Sequence, residues 1–263
     1  MQLEVMGAKV NVTRMGETGR GVLLLHGWGC SAQMMESAQK TLAAKMRTAA
    51  IDFPGHGCMG KAEAPPCPWG VPEYMEMTAE IIRRLELAPC DIVAHSFGGR
   101  VAILLAATYP ELVGRMVLTG AAGIRKPTSG KATARQKAYK TLRGAMNLME
   151  KTHLFGELPQ KGREALIQKF GSPDYRALSP EMRQTFNKVI SLDLTEKLPM
   201  VKAETLLFFG EEDTETPLWM GKKMEELIPD AALITESGTG HFAYLERSEK
   251  FNRILKSFLT EGR

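Results

Sequence analysis

The chain lacks the apolar runs that would place it in a membrane. No run among its 263 residues approaches the roughly 18 residues that a membrane-spanning helix needs. The first ten residues also lack the apolar core of a secretory signal peptide. From these absences we expect a cytoplasmic protein without a membrane span.

Strong charge of one sign is also absent. Lys and Arg number 34 and Asp and Glu number 30, which leaves a net charge of +4. So small an excess does not predict a nucleic-acid partner.

The cysteines and histidines show none of the spacings that are typical of metal sites. Four cysteines (Cys30, Cys58, Cys67 and Cys90) form no C-x-x-C pair, and the five histidines form no H-x-x-x-H pair. In a chain that is not secreted, such cysteines are expected to be reduced thiols. We therefore predict neither a disulfide framework nor a bound metal.

Short apolar runs alternate with helical patterns along most of the chain. Hydrophobic residues make up 44% and charged residues 24%, as in ordinary globular proteins. The apolar runs are residues 21–25, 48–53, 91–94, 116–119, 205–209 and 232–235. This order predicts an α/β fold with a mostly parallel sheet flanked by helices. Residues 9–13 alternate in polarity, which favours an antiparallel edge strand.

The alternation stops within residues 124–203, where helical patterns occur without a convincing strand. We interpret this segment as an inserted helical cap and assign residues 1–123 and 204–263 to the core domain. Residues 125–163 hold ten Lys or Arg and two Glu, a net charge of +8. Two interpretations remain open for this excess: a solvated helix face, or a surface that attracts an anionic substrate.

The most informative motif is AHSFGG at residues 94–99, which follows an apolar strand and precedes an apolar helix. That context is typical of a nucleophile elbow, a sharp turn that exposes a serine above the sheet. Small residues two positions on either side allow the tight turn, and Ala94 and Gly98 provide them. The pattern predicts Ser96 as a nucleophile.

A serine nucleophile needs a base and a supporting acid. His241 follows the last predicted strand in GHF, and Asp213 follows the preceding strand in GEEDTETP. Because the carboxyl ends of parallel strands meet at one edge of a sheet, we expect these side chains to converge on Ser96. Glu212 and, more distantly, Asp193 remain alternative acids.

Catalysis at a carbonyl also needs two backbone donors for the developing oxyanion. The N–H of Phe97, directly after Ser96, is one candidate. The N–H of Trp28, in HGWG after the first buried strand, is the other. The Trp28 ring is expected either to line the acyl pocket or to pack against the cap.

These motifs resemble those of the α/β-hydrolase superfamily. The resemblance rests on HGWG (26–29), DFPGHG (52–57), AHSFGG (94–99), GEEDTETP (210–217) and GHF (240–242), which follow successive predicted strand ends. It implies a sheet of about eight strands, a helical lid over a Ser–His–Asp triad, and no cofactor.

Together, these features predict a serine hydrolase that works through an acyl-enzyme. We expect a carboxylesterase acting on a small to medium, apolar acyl compound; thioesters and lactones stay open. One alternative is cofactor-free C–C bond hydrolysis of ring-cleavage products, and a second is a non-catalytic protein that binds a ligand on a hydrolase scaffold. The only expected partner is a small-molecule substrate, and the oligomeric state is left open.

Overall fold

The fold is built on one eight-stranded sheet. A computed structural model describes residues 1–57, 63–127, 134–151, 158–170 and 173–260. The strands are β1 (Gln2–Val5), β2 (Ala8–Met15), β3 (Gly21–Leu25), β4 (Arg47–Asp52), β5 (Cys90–His95), β6 (Val113–Thr119), β7 (Thr205–Gly210) and β8 (Ala231–Glu236). Their order across the sheet is β1-β2-β4-β3-β5-β6-β7-β8. All pairs from β4 to β8 are parallel, which confirms the predicted mostly parallel sheet.

Helices occupy the connections from β3 onward, and the last two follow β8. They are α1 (Glu36–Ala43), α2 (Val71–Arg84), α3 (Phe97–Thr108), α4 (Ala134–Lys151), α5 (Leu158–Phe170), α6 (Pro173–Ala177), α7 (Pro180–Ser191), α8 (Leu218–Leu227), α9 (Ala243–Glu246) and α10 (Ser248–Thr260). Short 3-10 helices cover Ala32–Met35, Pro110–Leu112 and Thr195–Met200.

Both faces of the sheet are covered, which explains why its central strands are apolar throughout. Successive side chains of a strand point to opposite faces. Leu23 and Leu25 of β3 accordingly join a core with residues of α2, α3 and α8. Val22 and Leu24 of the same strand join a second core with residues of α1 and α10. The central strands are thus packed on both faces, and the loops that follow their carboxyl ends start from this packed sheet.

The amino-terminal edge of the sheet differs from the prediction. Residues 9–13 lie in β2, which is antiparallel to both β1 and β4. The edge strand is β1 instead, so the edge assignment was wrong. Of its four residues, Gln2–Val5, two are exposed, one is half-buried and one is buried, and so short a segment carries little apolar pattern from which to predict a strand.

The chain forms two compact units. The first comprises residues 1–125 and 184–263, and the second comprises residues 126–183. The boundary falls within α7, so the second unit is shorter than the segment 124–203 expected from sequence. The reason is that Val189, Leu194 and Leu198 pack into the main core of the first unit. Residues 128–133, 152–157 and 171–172 of the expected cap lie outside the described residues.

Within the described ranges, no helix is long and apolar enough to cross a membrane.

Cys30, Cys67 and Cys90 are free thiols, whereas Cys58 lies outside the described residues.

Candidate active site

Ser96 occupies a strained turn between β5 and α3. Its φ of 50° and ψ of −108° lie in a region that residues with a side chain rarely adopt. Such strain costs about 1–3 kcal/mol and persists only where the surroundings impose it. Here the Ser96 N–H donates to the Thr119 carbonyl at 3.1 Å, and the Ser96 carbonyl accepts from the Ala122 N–H at 3.1 Å. The turn is thereby bonded on both sides to the end of β6 and the loop behind it.

The absence of a side chain at Gly98 allows α3 to start against the end of β3. A Cβ atom at this position would lie 2.6 Å from the Leu25 carbonyl oxygen and 2.8 Å from that of His26. The Gly98 N–H instead donates to the His26 carbonyl at 3.2 Å. This close approach brings the loop after β3 next to Ser96.

The three predicted polar side chains form one chain of hydrogen bonds. His241, in the loop after β8, places Nε2 2.9 Å from Ser96 Oγ. Its Nδ1 lies 2.8 Å from Asp213 Oδ2. With Nδ1–H donating to the carboxylate, the Nε2 lone pair faces the serine hydroxyl. The structure therefore brings together residues from the ends of three different strands.

Asp213 is buried, and both of its carboxylate oxygens accept hydrogen bonds. Oδ1 accepts the N–H groups of Glu215 at 2.8 Å and Thr216 at 2.9 Å, while Oδ2 accepts from the Thr216 hydroxyl at 2.7 Å. Burial alone would raise the pKa of this carboxyl, but hydrogen bonds from His241 and Thr216 outweigh it, and the pKa lies below its ordinary value. The side chain is consequently a carboxylate near neutral pH.

The alternative acids are placed elsewhere. Glu212 is exposed. The Asp193 carboxylate is also exposed and accepts the N–H groups of Thr195 at 2.8 Å and Arg125 at 3.1 Å. The structure brings Asp213, and neither of these two, to His241.

The two predicted oxyanion donors, the N–H groups of Phe97 and Trp28, belong to segments that lie next to Ser96. Phe97 is the first residue of α3, where N–H groups have no partner within the helix. Trp28 lies in the loop after β3, and a Cβ built on its neighbour Gly27 would lie 3.3 Å from Ser96 Cβ. Among the described residues, neither the Phe97 N–H nor the Trp28 N–H donates to a backbone carbonyl of a turn, loop or cap. A helix start and an adjacent loop thus both offer donors near the serine.

The other histidines near the site are held neutral by burial. Burial lowers the pKa of His26 to about 4, and that of His56 to about 3. His95 also has its pKa lowered to about 3, by burial and by the nearby His241. His26 and His95 donate through Nδ1 to the carbonyls of Gly27 at 2.7 Å and Thr119 at 3.0 Å. These two hydrogen bonds therefore stabilise the backbone on either side of Ser96.

Comparison with known proteins agrees with this geometry. A family model described as "Alpha/beta hydrolase family" matches residues 22–254. The chain belongs to the alpha/beta hydrolase family. The match runs from β3 into α10 and so includes every residue of the site.

Several relatives of this alpha/beta hydrolase are named for specific reactions. The chain is 28% identical over 264 residues to a 2-hydroxymuconate semialdehyde hydrolase of Pseudomonas putida, covering 97% of this chain and 92% of that protein. It is 24% identical over 259 residues to a pimeloyl-[acyl-carrier protein] methyl ester esterase of Neisseria meningitidis, covering 93% and 95%. A solved meta-cleavage product hydrolase of Pseudomonas fluorescens superposes with a TM-score of 0.72 at 27% identity, covering 100% and 98%.

Two residues at the site of this alpha/beta hydrolase were not predicted from the sequence. The Thr216 hydroxyl contacts both Asp213 and His241, and Gly120 lies against the same pair. The spacing D-x-x-T offered a signal for Thr216, because an Asp side chain often accepts N–H groups two and three residues further on. Gly120 follows β6 directly, and only the three-dimensional structure shows what it approaches.

Proposed function

We propose that this protein is a serine hydrolase that cleaves carboxylic esters through an acyl-Ser96 intermediate. The observation that carries the proposal is the hydrogen-bonded chain itself: Ser96 Oγ lies 2.9 Å from His241 Nε2, and His241 Nδ1 lies 2.8 Å from Asp213 Oδ2. A serine hydroxyl becomes a useful nucleophile when a base is poised to take its proton and an acid orients that base.

The proposed reaction has two halves. In the first, Ser96 Oγ attacks the ester carbonyl carbon while His241 Nε2 takes the hydroxyl proton. The carbonyl oxygen becomes an oxyanion, held by the N–H groups of Phe97 and Trp28; one such donor contributes about 3 kcal/mol. The tetrahedral species then collapses, the C–O bond to the alcohol breaks, and the imidazolium protonates the departing oxygen.

The second half regenerates the enzyme. A water molecule gives a proton to His241 Nε2 and attacks the acyl-Ser96 carbonyl carbon, again forming an oxyanion at the same donors. Collapse releases the carboxylic acid and returns the proton to Ser96 Oγ. Asp213 stays ionised throughout and stabilises the imidazolium.

Aromatic side chains beside the serine support an apolar acyl group. The Trp28 ring lies 5.5 Å from the Phe97 ring and 5.2 Å from the Phe186 ring, measured between centroids. Trp28 is only partly buried, so part of this residue is accessible. We propose that Trp28 contributes an acyl-binding surface as well as its N–H.

The helical segment is proposed to be the cap that the family resemblance implies. Residues 126–183 form a compact unit of their own, and they enter the chain between β6 and β7. An insertion between consecutive strands leaves the sheet intact, which supports a separate role for this unit.

A second candidate reaction is the hydrolysis of a C–C bond. It is favoured by two of the relatives, the 2-hydroxymuconate semialdehyde hydrolase and the meta-cleavage product hydrolase. Attack at a ketone carbonyl would use the same serine and the same oxyanion donors. The difference lies in the leaving group, which would depart as carbon and need a proton there.

A panel of substrates tests these candidates. We expect turnover of p-nitrophenyl esters of graded acyl length, loss of that turnover in Ser96→Ala, and no change in Ser191→Ala, which removes an exposed serine. Turnover of 2-hydroxymuconate semialdehyde well above that of every ester would favour C–C hydrolysis. Tight binding of these compounds without turnover would instead indicate a ligand-binding protein and contradict the proposal.

Covalent labelling provides an independent check. A fluorophosphonate reacts with a serine that a neighbouring base activates, so it should label the wild type and Ser191→Ala but not Ser96→Ala. Mass spectrometry of the labelled peptide should locate the adduct on Ser96. An unlabelled wild type would contradict an activated serine.

A further inference from the structure

The Thr216 hydroxyl is buried at the centre of the acid–base pair. Thr216 is 4% exposed and stands between Asp213 and Pro217 in the loop after β7. Its Oγ1 lies 2.7 Å from Asp213 Oδ2, 2.9 Å from the Gly120 carbonyl oxygen and 3.2 Å from His241 Nδ1. A single hydroxyl therefore contacts the acid, the base and the end of a neighbouring strand.

The hydroxyl has one proton and two acceptors that compete for it. Asp213 Oδ2 carries negative charge and lies closer to Oγ1 than the Gly120 carbonyl does. Hydrogen bonds to an ionised acceptor are the stronger ones. The Thr216 hydroxyl thus donates its hydrogen bond to Asp213 Oδ2, the same oxygen that accepts the Nδ1–H of His241.

Gly120 makes room for this arrangement. Its φ is +47°, and a Cβ atom there would lie 3.2 Å from His241 Nδ1 and 3.3 Å from Asp213 Oδ2. The backbone after β6 can therefore approach the pair closely.

On the basis of the proposed function, we infer that Thr216 is a positioning residue that sets both the orientation and the proton affinity of the Asp213–His241 pair. It acts through Asp213 and is not required to touch the substrate. By donating to Oδ2, the hydroxyl takes up part of the carboxylate's charge. The imidazolium is then held less tightly than it would be beside the carboxylate alone.

The other groups around His241 do not replace the hydrogen bond from the Thr216 hydroxyl to Asp213. His95 lies with its ring 4.7 Å from the His241 ring and is neutral, because burial lowers its pKa to about 3. Glu246 Oε1 accepts the N–H of Gly240 at 3.1 Å, so it contacts the backbone beside His241. Asp213 is the carboxylate that the ring itself contacts, and Thr216 is the side chain that modulates it.

Fluorophosphonate labelling of Ser96 across a pH series tests the inference, because the labelling rate reports how well His241 activates the serine without any need for the natural substrate. Thr216→Val removes the hydroxyl at similar size, and Thr216→Ser retains it. Because the carboxylate loses a contact that orients it towards His241, we expect Thr216→Val to label about 10- to 100-fold more slowly. Because the carboxylate then holds the imidazolium more tightly, the acid limb of the rate profile should move to higher pH. Thr216→Ser should recover most of the rate and the original acid limb.

A matched control separates this role from packing. Thr78 is fully buried in α2 and donates from Oγ1 to the Tyr74 carbonyl at 2.7 Å. Thr78→Val should lower the melting temperature without moving the acid limb of the labelling rate. Two results would overturn the inference while Ser96 still labels in the wild type. One is a lowered melting temperature and a slower labelling rate in Thr216→Val and Thr216→Ser alike. The other is an unmoved acid limb in Thr216→Val. Absence of labelling in the wild type would mean that the proposed function itself is wrong, and the inference with it.

Discussion

Replacing Asp213 by asparagine offers a direct test of the acid, since the structure shows what the amide would meet. Asp213 Oδ1 accepts two backbone N–H groups and Oδ2 accepts from Thr216 and from His241 Nδ1. An asparagine retains one oxygen, which fits best where the two backbone donors converge. Its NH₂ group then faces His241 and Thr216, both of which are donors in the present arrangement.

The expected loss of activity in Asp213→Asn follows from the histidine tautomer. With an NH₂ group opposite Nδ1, that nitrogen must act as an acceptor, and the ring proton moves to Nε2. Nε2–H cannot take the Ser96 proton. In the best-studied triad this exchange lowers kcat by about 10⁴-fold, which corresponds to roughly 5 kcal/mol of transition-state stabilisation. We expect a loss of this order in Asp213→Asn, with KM changed far less.

Steady-state hydrolysis of a p-nitrophenyl ester measures this loss. The controls are Glu212→Gln and Asp193→Asn, which replace the other acids considered from sequence and should leave kcat nearly unchanged. Circular dichroism and a melting curve establish that Asp213→Asn is folded. Near-normal activity in Asp213→Asn, combined with a large loss in either control, would refute the assignment.

Three further predictions concern the elbow, the buried histidines and the basic segment. Gly98→Ala places a Cβ atom 2.6 Å from a backbone oxygen, so we expect it to destabilise the fold by about 1–3 kcal/mol; Gly144→Ala, in a helix with open space around the new atom, should not lower the melting temperature. Since burial lowers the pKa values of His56 and His95 to about 3, unfolding takes up protons below the ordinary histidine pKa of about 6.5. The melting temperature should therefore fall as the pH drops from about 6.5 towards these values; a constant melting temperature there would contradict burial of the neutral rings. If residues 125–163, with a net charge of +8, attract anionic substrates, kcat/KM for an acidic ester should fall steeply with added salt while that of a neutral ester stays level. No difference between the two esters would favour a solvated helix face.

The amino-acid sequence by itself determined the architecture and indicated the candidate residues of the site. Apolar runs bounded by turn residues located six of the eight strands, because parallel strands covered on both faces must be apolar throughout. The motif around Ser96 was equally informative, since few residues tolerate the turn that exposes a serine at a strand end. The order of serine, acid and histidine along the chain indicated which side chains to bring together, because the carboxyl ends of parallel strands lie at one edge.

Only the tertiary structure decided which acid faces His241 and what surrounds the pair. Asp213 and Glu212 are adjacent in sequence, and a loop can present either one; the backbone N–H groups of Glu215 and Thr216 select Asp213. The contact of Thr216 with Gly120 joins residues 96 positions apart, and no local pattern encodes such a distance. The end of the helical unit was likewise settled by long-range packing, since Val189 and Leu194 join the main core. Local sequence specifies the conformations a segment can adopt, whereas hydrogen bonds and apolar contacts between distant segments select among them.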